Sequence, residues 1–302
     1  MKAFNIKFTA ILICCVGMLW ACEREIELDL SYTEDLIVID GSIFEHEPPT
    51  VLIKKVFPFQ KEITIDDLAN AYLDNAKVTV TVDSTSYELT EISVDLSEIT
   101  ELGTGEFVAY FEFSGDLIGE RGKAYHLTVE LEGETYTSSA YLPHQTAMDS
   151  IWWEPAGIEG RDELVKVRVH ASDADTLGNY YKIFTQRNSE PMYDAGIFDD
   201  KAINGLDYDI TVFRGESNYV AFNDDDYDLD AAGFFSKGDT VYVARACITK
   251  DVYEFWSTLE YDNSSGGAFS ATTTVKSNIN GNNVLGCWAG YSMEESTIII
   301  PE

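Results

Sequence analysis

The stretch "GKAYHLTVELEGETYTSSAYLP", Gly122–Pro143, decides the fold class. Tyr125, Leu127, Val129 and Leu131 alternate with His126, Thr128 and Glu130, so one set of side chains faces a core and the other faces water. "EGE" then supplies a turn, and "ETYTSSAYL" starts a second extended run. The same period of two recurs on both sides of this stretch. In "KVTVTVD" it sets Val78, Val80 and Val82 against Lys77, Thr79 and Thr81, and in "LVKVRVHA" it sets Val165, Val167 and Val169 against Lys166, Arg168 and His170. Further strands are expected at "LIVIDGSI", "TVLIKKVF", "EFVAYFEF", "MDSIWWEP", "NYYKIFTQ", "YDITVF", "DTVYVARACI" and "STIIIP". Short intervals with turn signals such as "EPP", "GER" and "KGD" give the pattern of antiparallel sheets packed as a sandwich, each with one wet face.

One segment departs from that period. "TKDVYEFWSTLEY" spaces Val252, Phe255, Trp256 and Leu259 for one face of a helix over 249–261, with Thr249 placed to cap the first turn and Asp251 to complement its dipole. A boundary is expected near "LPHQTAMDS", where Pro143 ends one strand-rich unit and Asp149 opens the next. The organisation expected is therefore a leader over 1–21, a tether over 22–33, a β-sandwich over 34–145 and a β-rich domain with the helix over 146–302.

The leader reading rests on Lys2 and Lys7 followed by an uncharged run from Phe8 to Ala21, the charged and apolar regions of an export signal. That run is short of the roughly 20 apolar residues of a membrane span. Leu19 and Ala21 before Cys22 resemble a lipobox, in which the cysteine is diacylated and becomes the new N-terminus; Trp20 is unusual there. The alternative is an ordinary secreted chain with Cys22 near its cleavage site. After Cys22 come Glu23, Glu25, Glu27 and Asp29, interrupted by Arg24. They read either as a surface-export signal or as a solvated tether.

The formal net charge of −33 excludes several partners. Such a surface repels nucleic-acid phosphates and anionic lipid heads, so neither nucleic acid nor attachment through a basic patch is expected. With 45% hydrophobic and 13% aromatic residues the chain has material for buried cores, and its acidity is a surface property. Cys14 and Cys15 leave with the leader, so Cys247 and Cys287 are the thiols that remain. They are either paired in a disulfide or buried singly in strands.

Candidate chemistry is sparse. His46, His126, His144 and His170 form no HxH or HExxH pair, and His126 and His170 fall opposite the apolar stripes. No GxSxG elbow or phosphate loop occurs, so no nucleophile with a visible base can be named, and a hydrolase ranks last. "NDDDYDLD" offers Asp224, Asp226, Asp228 and Asp230 as alternate oxygens for calcium, although Leu229 and Phe235 stand where an EF-hand needs glycine and a bidentate acid. A repelling solvated loop is the competing reading, and no other cofactor is expected. Trp152 and Trp153 are adjacent in an expected strand, so their rings point to opposite faces and one could serve as a carbohydrate or peptide platform. The irregular region from Asn188 to Gly238 is the expected place for a recognition surface.

Taken in order along the chain, the acidic segment before "LIVIDGSI", "NAKVTVTV", the opening stretch, "DSIWWE" and "SNINGNNVLGCWAGYS" (Ser277–Ser292) resemble the DUF4249 family of Bacteroidota lipoproteins. Asn282 and Asn283 stand where glycine is more usual. The resemblance implies an envelope lipoprotein often encoded beside a TonB-dependent outer-membrane transporter. It also implies an N-terminal sandwich similar to immunoglobulin-like or carboxypeptidase-regulatory-like domains. The function expected is a non-enzymatic accessory or ligand-capture subunit anchored to the outer membrane by lipid, facing the cell surface or the periplasm. The alternative is a stand-alone carbohydrate- or peptide-binding module.

Overall fold

A computed structural model describes residues 36–57, 71–95, 109–215, 228, 231–264 and 274–302. The leader, Cys22 and the acidic tether lie outside the described residues. The fold is mainly β. Its first seven strands are β1 (Ile37–Phe44), β2 (Thr50–Lys55), β3 (Lys77–Val82), β4 (Thr85–Asp95), β5 (Ala109–Ser114), β6 (Ala124–Leu131) and β7 (Glu134–Tyr141). Next come β8 (Met148–Pro155), β9 (Leu164–Ser172), β10 (Tyr180–Arg187), β11 (Tyr193–Asp199), β12 (Asp207–Val212) and β13 (Phe235–Ser236). A short 3-10 turn (Asp200–Ala202) follows β11, and β14 (Thr240–Ile248), helix α1 (Lys250–Ser264) and β15 (Val284–Ile299) are the last of the described elements.

An 11-stranded sheet runs β11-β10-β14-β15-β1-β2-β5-β4-β3-β6-β7, and β9 lies at the centre of a second, 4-stranded sheet with β8 on one side and β12 and β13 on the other. β4 folds the large sheet over. Its residues 85–89 pair with β3 and its residues 90–95 with β5, so one long strand serves both layers of the first sandwich. The far edge, β7, meets the segment that leads into β15 through a bridge between Thr137 and Asn280. The alternation read from the sequence holds within this sandwich: Tyr125, Leu127, Val129 and Leu131 are buried in one core with Val78, Val80 and Val82.

β15 changes partner midway. Val284–Tyr291 run parallel to β1, and Ser292–Ile299 run antiparallel to β14. Its first half therefore completes the first sandwich. There Trp288 is fully buried, donates from Nε1 to the Tyr125 carbonyl at 2.9 Å, and lies where a Cβ on Gly41 would come within 2.7 Å of its ring. The second half of β15 belongs to another core, in which β10 and β14 pack against β9 and β12.

β14 is buried almost throughout, because the small sheet covers one face and α1 the other. The expected wet face is therefore missing there. Val252 and Phe255 of α1 are buried, and Trp256 and Leu259 pack against the same cluster, in agreement with the helical spacing. Thr249 does not cap: its hydroxyl is buried without a hydrogen-bond partner, and only its carbonyl joins the first turn, accepting from Tyr253 at 3.0 Å.

The boundary expected at 145–146 falls between β7 and β8, where the chain passes from one sheet to the other, yet residues 34–302 form one compact unit. The alternative of a Cys247–Cys287 disulfide is corrected: both are buried free thiols. Cys247 lies opposite Ser292, five residues along β15 from Cys287, a separation of about 16 Å at strand rise, whereas a bridge needs Cα atoms within about 7 Å.

Replacing Trp288 with alanine removes the largest side chain of the first core and is expected to cost about 3–5 kcal/mol of unfolding free energy. Urea titration followed by circular dichroism measures it, and a loss below about 1 kcal/mol would contradict the packing described.

Candidate functional site

The connection from β7 to β8, residues 142–147, runs between two arginines. On one side Arg121 holds Glu45, with Nη2 to Oε2 at 2.8 Å, and Glu45 Oε2 also accepts from Gln145 Nε2 at 3.1 Å. A carboxylate only accepts, so this bond fixes which end of the Gln145 amide carries nitrogen and turns its carbonyl oxygen the other way. On the other side Arg245, buried in β14, donates from Nη2 to Thr146 Oγ1 at 2.9 Å and to the Ala147 carbonyl at 3.1 Å, and also to the Thr146 carbonyl. Its Nη1 reaches Tyr208 Oη at 2.8 Å and the Ser172 carbonyl at 3.2 Å.

Among the described residues no carboxylate touches Arg245. Its charge is met by carbonyl dipoles, by the Tyr181 ring 5.0 Å from its guanidinium carbon, and, beyond that ring, by the buried Asp173, which accepts from Tyr181 Oη and from Gly205 N. Burial first, and the Asp173 hydrogen bond second, push the Tyr181 phenol far up, so it remains a donor.

Between this clamped connection, the β9–β10 loop and the start of α1 lies a cleft of about 470 Å³. Tyr141, Tyr180 and Tyr181 are among its walls, and His144 and Lys250 line it on the exposed side. Two polar atoms in its lining are buried without a hydrogen-bond partner among the described residues, Gln145 Oε1 and Thr249 Oγ1. Buried polar atoms are ordinarily paired, so two orphans in one cleft mark where a hydrogen-bonding molecule fits. Cys247 also lines the cleft, but burial pushes its thiol up, which leaves it protonated and a weak nucleophile near neutral pH.

Sequence reading missed Gln145, Thr249 and Arg245. A signal for Arg245 was present: it shares the parity of Val241 and Val243 in "DTVYVARACI" and so had to face a core. Trp152 and Trp153 do point to opposite faces. Trp153 packs on the second core, while Trp152 lies half-buried on the outer side of the small sheet. There Trp152 Nε1 donates to Glu154 Oε1 at 3.1 Å, and the Arg168 guanidinium lies 5.9 Å from its ring. The Trp152 bond, helped by Lys166, holds the Glu154 carboxyl below its usual range.

Of the calcium candidates, Asp224, Asp226 and Asp230 lie outside the described residues, and Asp228 pairs with Arg161 at 2.8 Å. Among the described residues no group of three or more His, Cys, Asp or Glu is arranged to hold a metal. His126 is exposed and bonds Ser139 Oγ at 2.7 Å; His170 Nδ1 meets Asp209 Oδ1 at 2.7 Å. His46 and His144 are exposed.

The architecture of the described residues defines a class, a mainly β protein with a sandwich at its N-terminal side and a helix against the large sheet. The chain belongs to the family described as domain of unknown function (DUF4249), which matches residues 23–297. No curated protein and no solved structure matches it.

Two outcomes follow from these contacts. Thr249→Val removes a buried hydroxyl that has no partner and is expected to raise the stability of the ligand-free protein by about 1 kcal/mol, read from the urea midpoint; destabilisation would show that the hydroxyl is satisfied. The Asp209 hydrogen bond, with Asp149 and Asp207 adding charge, raises the His170 pKa. The stabilisation from that pair is therefore full below the unfolded value of about 6.5 and fades as pH rises through the higher folded value. In an NMR titration His170 should titrate above about 6.5, and Asp209→Asn should bring it down.

Proposed function

We propose that this protein is a lipid-anchored envelope lipoprotein that captures a small polar ligand, without catalysis, for a TonB-dependent outer-membrane transporter. The observation that carries ligand capture is the cleft with Gln145 Oε1 and Thr249 Oγ1 left for a donor, walled by tyrosines. A sugar or a peptide supplies both the donors and the flat apolar faces that such a lining accepts. The raised Cys247 thiol supports binding over acyl transfer. Anchoring rests on Cys22 and the apolar run before it, and among the described residues no helix is long and apolar enough to cross a membrane. The transporter link and the outer-membrane location rest on what the family resemblance implies, and surface display rests on the acids after Cys22.

The second reading, a stand-alone carbohydrate- or peptide-binding module, is favoured by Trp152. That ring already has Arg168 beside its face and Glu154 on its nitrogen, so the cleft is the better-founded site.

Affinity capture from gently solubilised membranes is expected to recover a TonB-dependent transporter, and its absence under conditions of expression would overturn the accessory role. On a glycan and peptide array, Gln145→Leu is expected to abolish the binding that Trp152→Ala leaves intact. The reverse pattern would move the site to the small sheet.

A further inference from the structure

A second cavity, of about 170 Å³, lies on the opposite face of the large sheet, between β1, β15, β10 and α1. Four of its walls are the aromatic rings of Phe44, Phe184, Trp256 and Tyr291. Phe44 stacks on Tyr291 with centroids 4.7 Å apart, Phe184 meets Tyr291 edge-on at 5.7 Å, and Trp256 Nε1 donates to Tyr291 Oη at 2.9 Å, which pins the central ring. Asp40 stands beside them. It is next to Cys287 in the parallel register of β1 and β15, and it makes no hydrogen bond or ion pair with the described residues. Asp40 is exposed as a residue, while the protein around its carboxyl raises its pKa by desolvation.

An aromatic cage with an unpaired carboxylate at its rim has the chemistry of a cation site, since ring faces carry negative charge density. Two of these rings already take a cation. Lys182 Nζ lies 4.2 Å from the Trp256 ring centroid and 5.6 Å from that of Phe184, where Asp194 and Glu260 more than balance its charge. Lys54, whose charge offsets part of the rise in the Asp40 pKa, lies over the Tyr72 ring at 5.4 Å and makes no bond to Asp40.

The lining also distinguishes among cations. A primary ammonium needs acceptors for three protons, whereas the oxygens on the lining side chains are those of Asp40, a Ser42 hydroxyl already bonded to Thr50 at 3.2 Å and a Tyr291 hydroxyl already bonded to Trp256. An alkylated ammonium needs no such acceptors and fills apolar walls. The volume suits a small head group, being close to the roughly 150 Å³ cavity that admits benzene.

We propose that the cavity between α1 and strands β1 and β15 binds a small alkylated ammonium group, with Asp40 as its counter-ion and the four rings as its cage. The site is separate from the Gln145–Thr249 cleft and stands or falls independently of it.

Calorimetric titration of the full-length protein with choline, and with its uncharged isostere 3,3-dimethylbutan-1-ol, tests this. Choline is expected to bind saturably and at least about tenfold more tightly than the isostere, and Asp40→Asn to lose that preference. Absence of saturable choline binding, or equal binding of the two compounds to the unmodified protein, would overturn the proposal without recourse to any variant. Sedimentation with phosphatidylcholine vesicles separates the sources of such a group. Co-sedimentation displaced by choline assigns a lipid headgroup, and choline binding without co-sedimentation assigns a free small molecule.

Discussion

Most of this fold depends on the pairing of β15 with two different strands. A 16-residue strand is long for a globular protein, and here its length does two jobs: eight residues lie parallel to β1 and the next eight antiparallel to β14. Parallel neighbours cannot be joined by a tight turn, so β1 and β15 come from opposite ends of the folded chain. Trp288 fixes the register, because the glycine at position 41 leaves room for its ring and the Tyr125 carbonyl receives its N–H. Gly286 adds a second constraint, since a Cβ there would lie 1.9 Å from the Ile39 carbonyl oxygen.

From that junction the positions of both cavities follow. The connection between β7 and β8 must cross from one sandwich to the other, and an irregular backbone crossing a core boundary needs its polar groups met. Arg245 meets the Thr146 and Ala147 carbonyls directly, and Arg121, through Glu45, holds the Gln145 side chain. The clamped connection then forms one wall of the tyrosine-lined cleft. On the other face, α1 covers β14 and β10 and leaves the outward side chains of β1, Asp40 and Phe44 among them, as an open margin beside Trp256. The heavily acidic composition fits this picture, because the buried cations Arg245 and Lys182 are held in local clusters while most acids among the described residues lie outside the cores.

Much of the secondary structure was legible, since half-buried strands write a period of two and Val252, Phe255, Trp256 and Leu259 write a helix. β4 and β11 were not. The first carries exposed polar residues on much of its length, and the second lies in a run of glycine, acids and aromatics without clean alternation. Of β15 only the end, "STIIIP", was read as a strand, because "VLGCWAGYS" is nearly continuous burial while "STIII" alternates; the change of partner explains the change of pattern. The cleft was illegible for a different reason. The role of Gln145 depends on Glu45, 100 residues earlier, and such a contact leaves no periodic trace. The partner of Cys287 was equally hidden, as spacing alone does not say which strands lie side by side.

If β15 is the element that closes the first sandwich, residues 34–145 produced alone lack both the parallel partner of β1 and the Trp288 side chain at the centre of their core. A two-dimensional amide NMR spectrum of that fragment should then show the narrow dispersion of an unfolded chain. Adding a peptide that spans Ser277–Ile299 in trans should restore dispersed signals. A fragment that gives a fully dispersed spectrum and unfolds cooperatively without the peptide would contradict the dependence on β15.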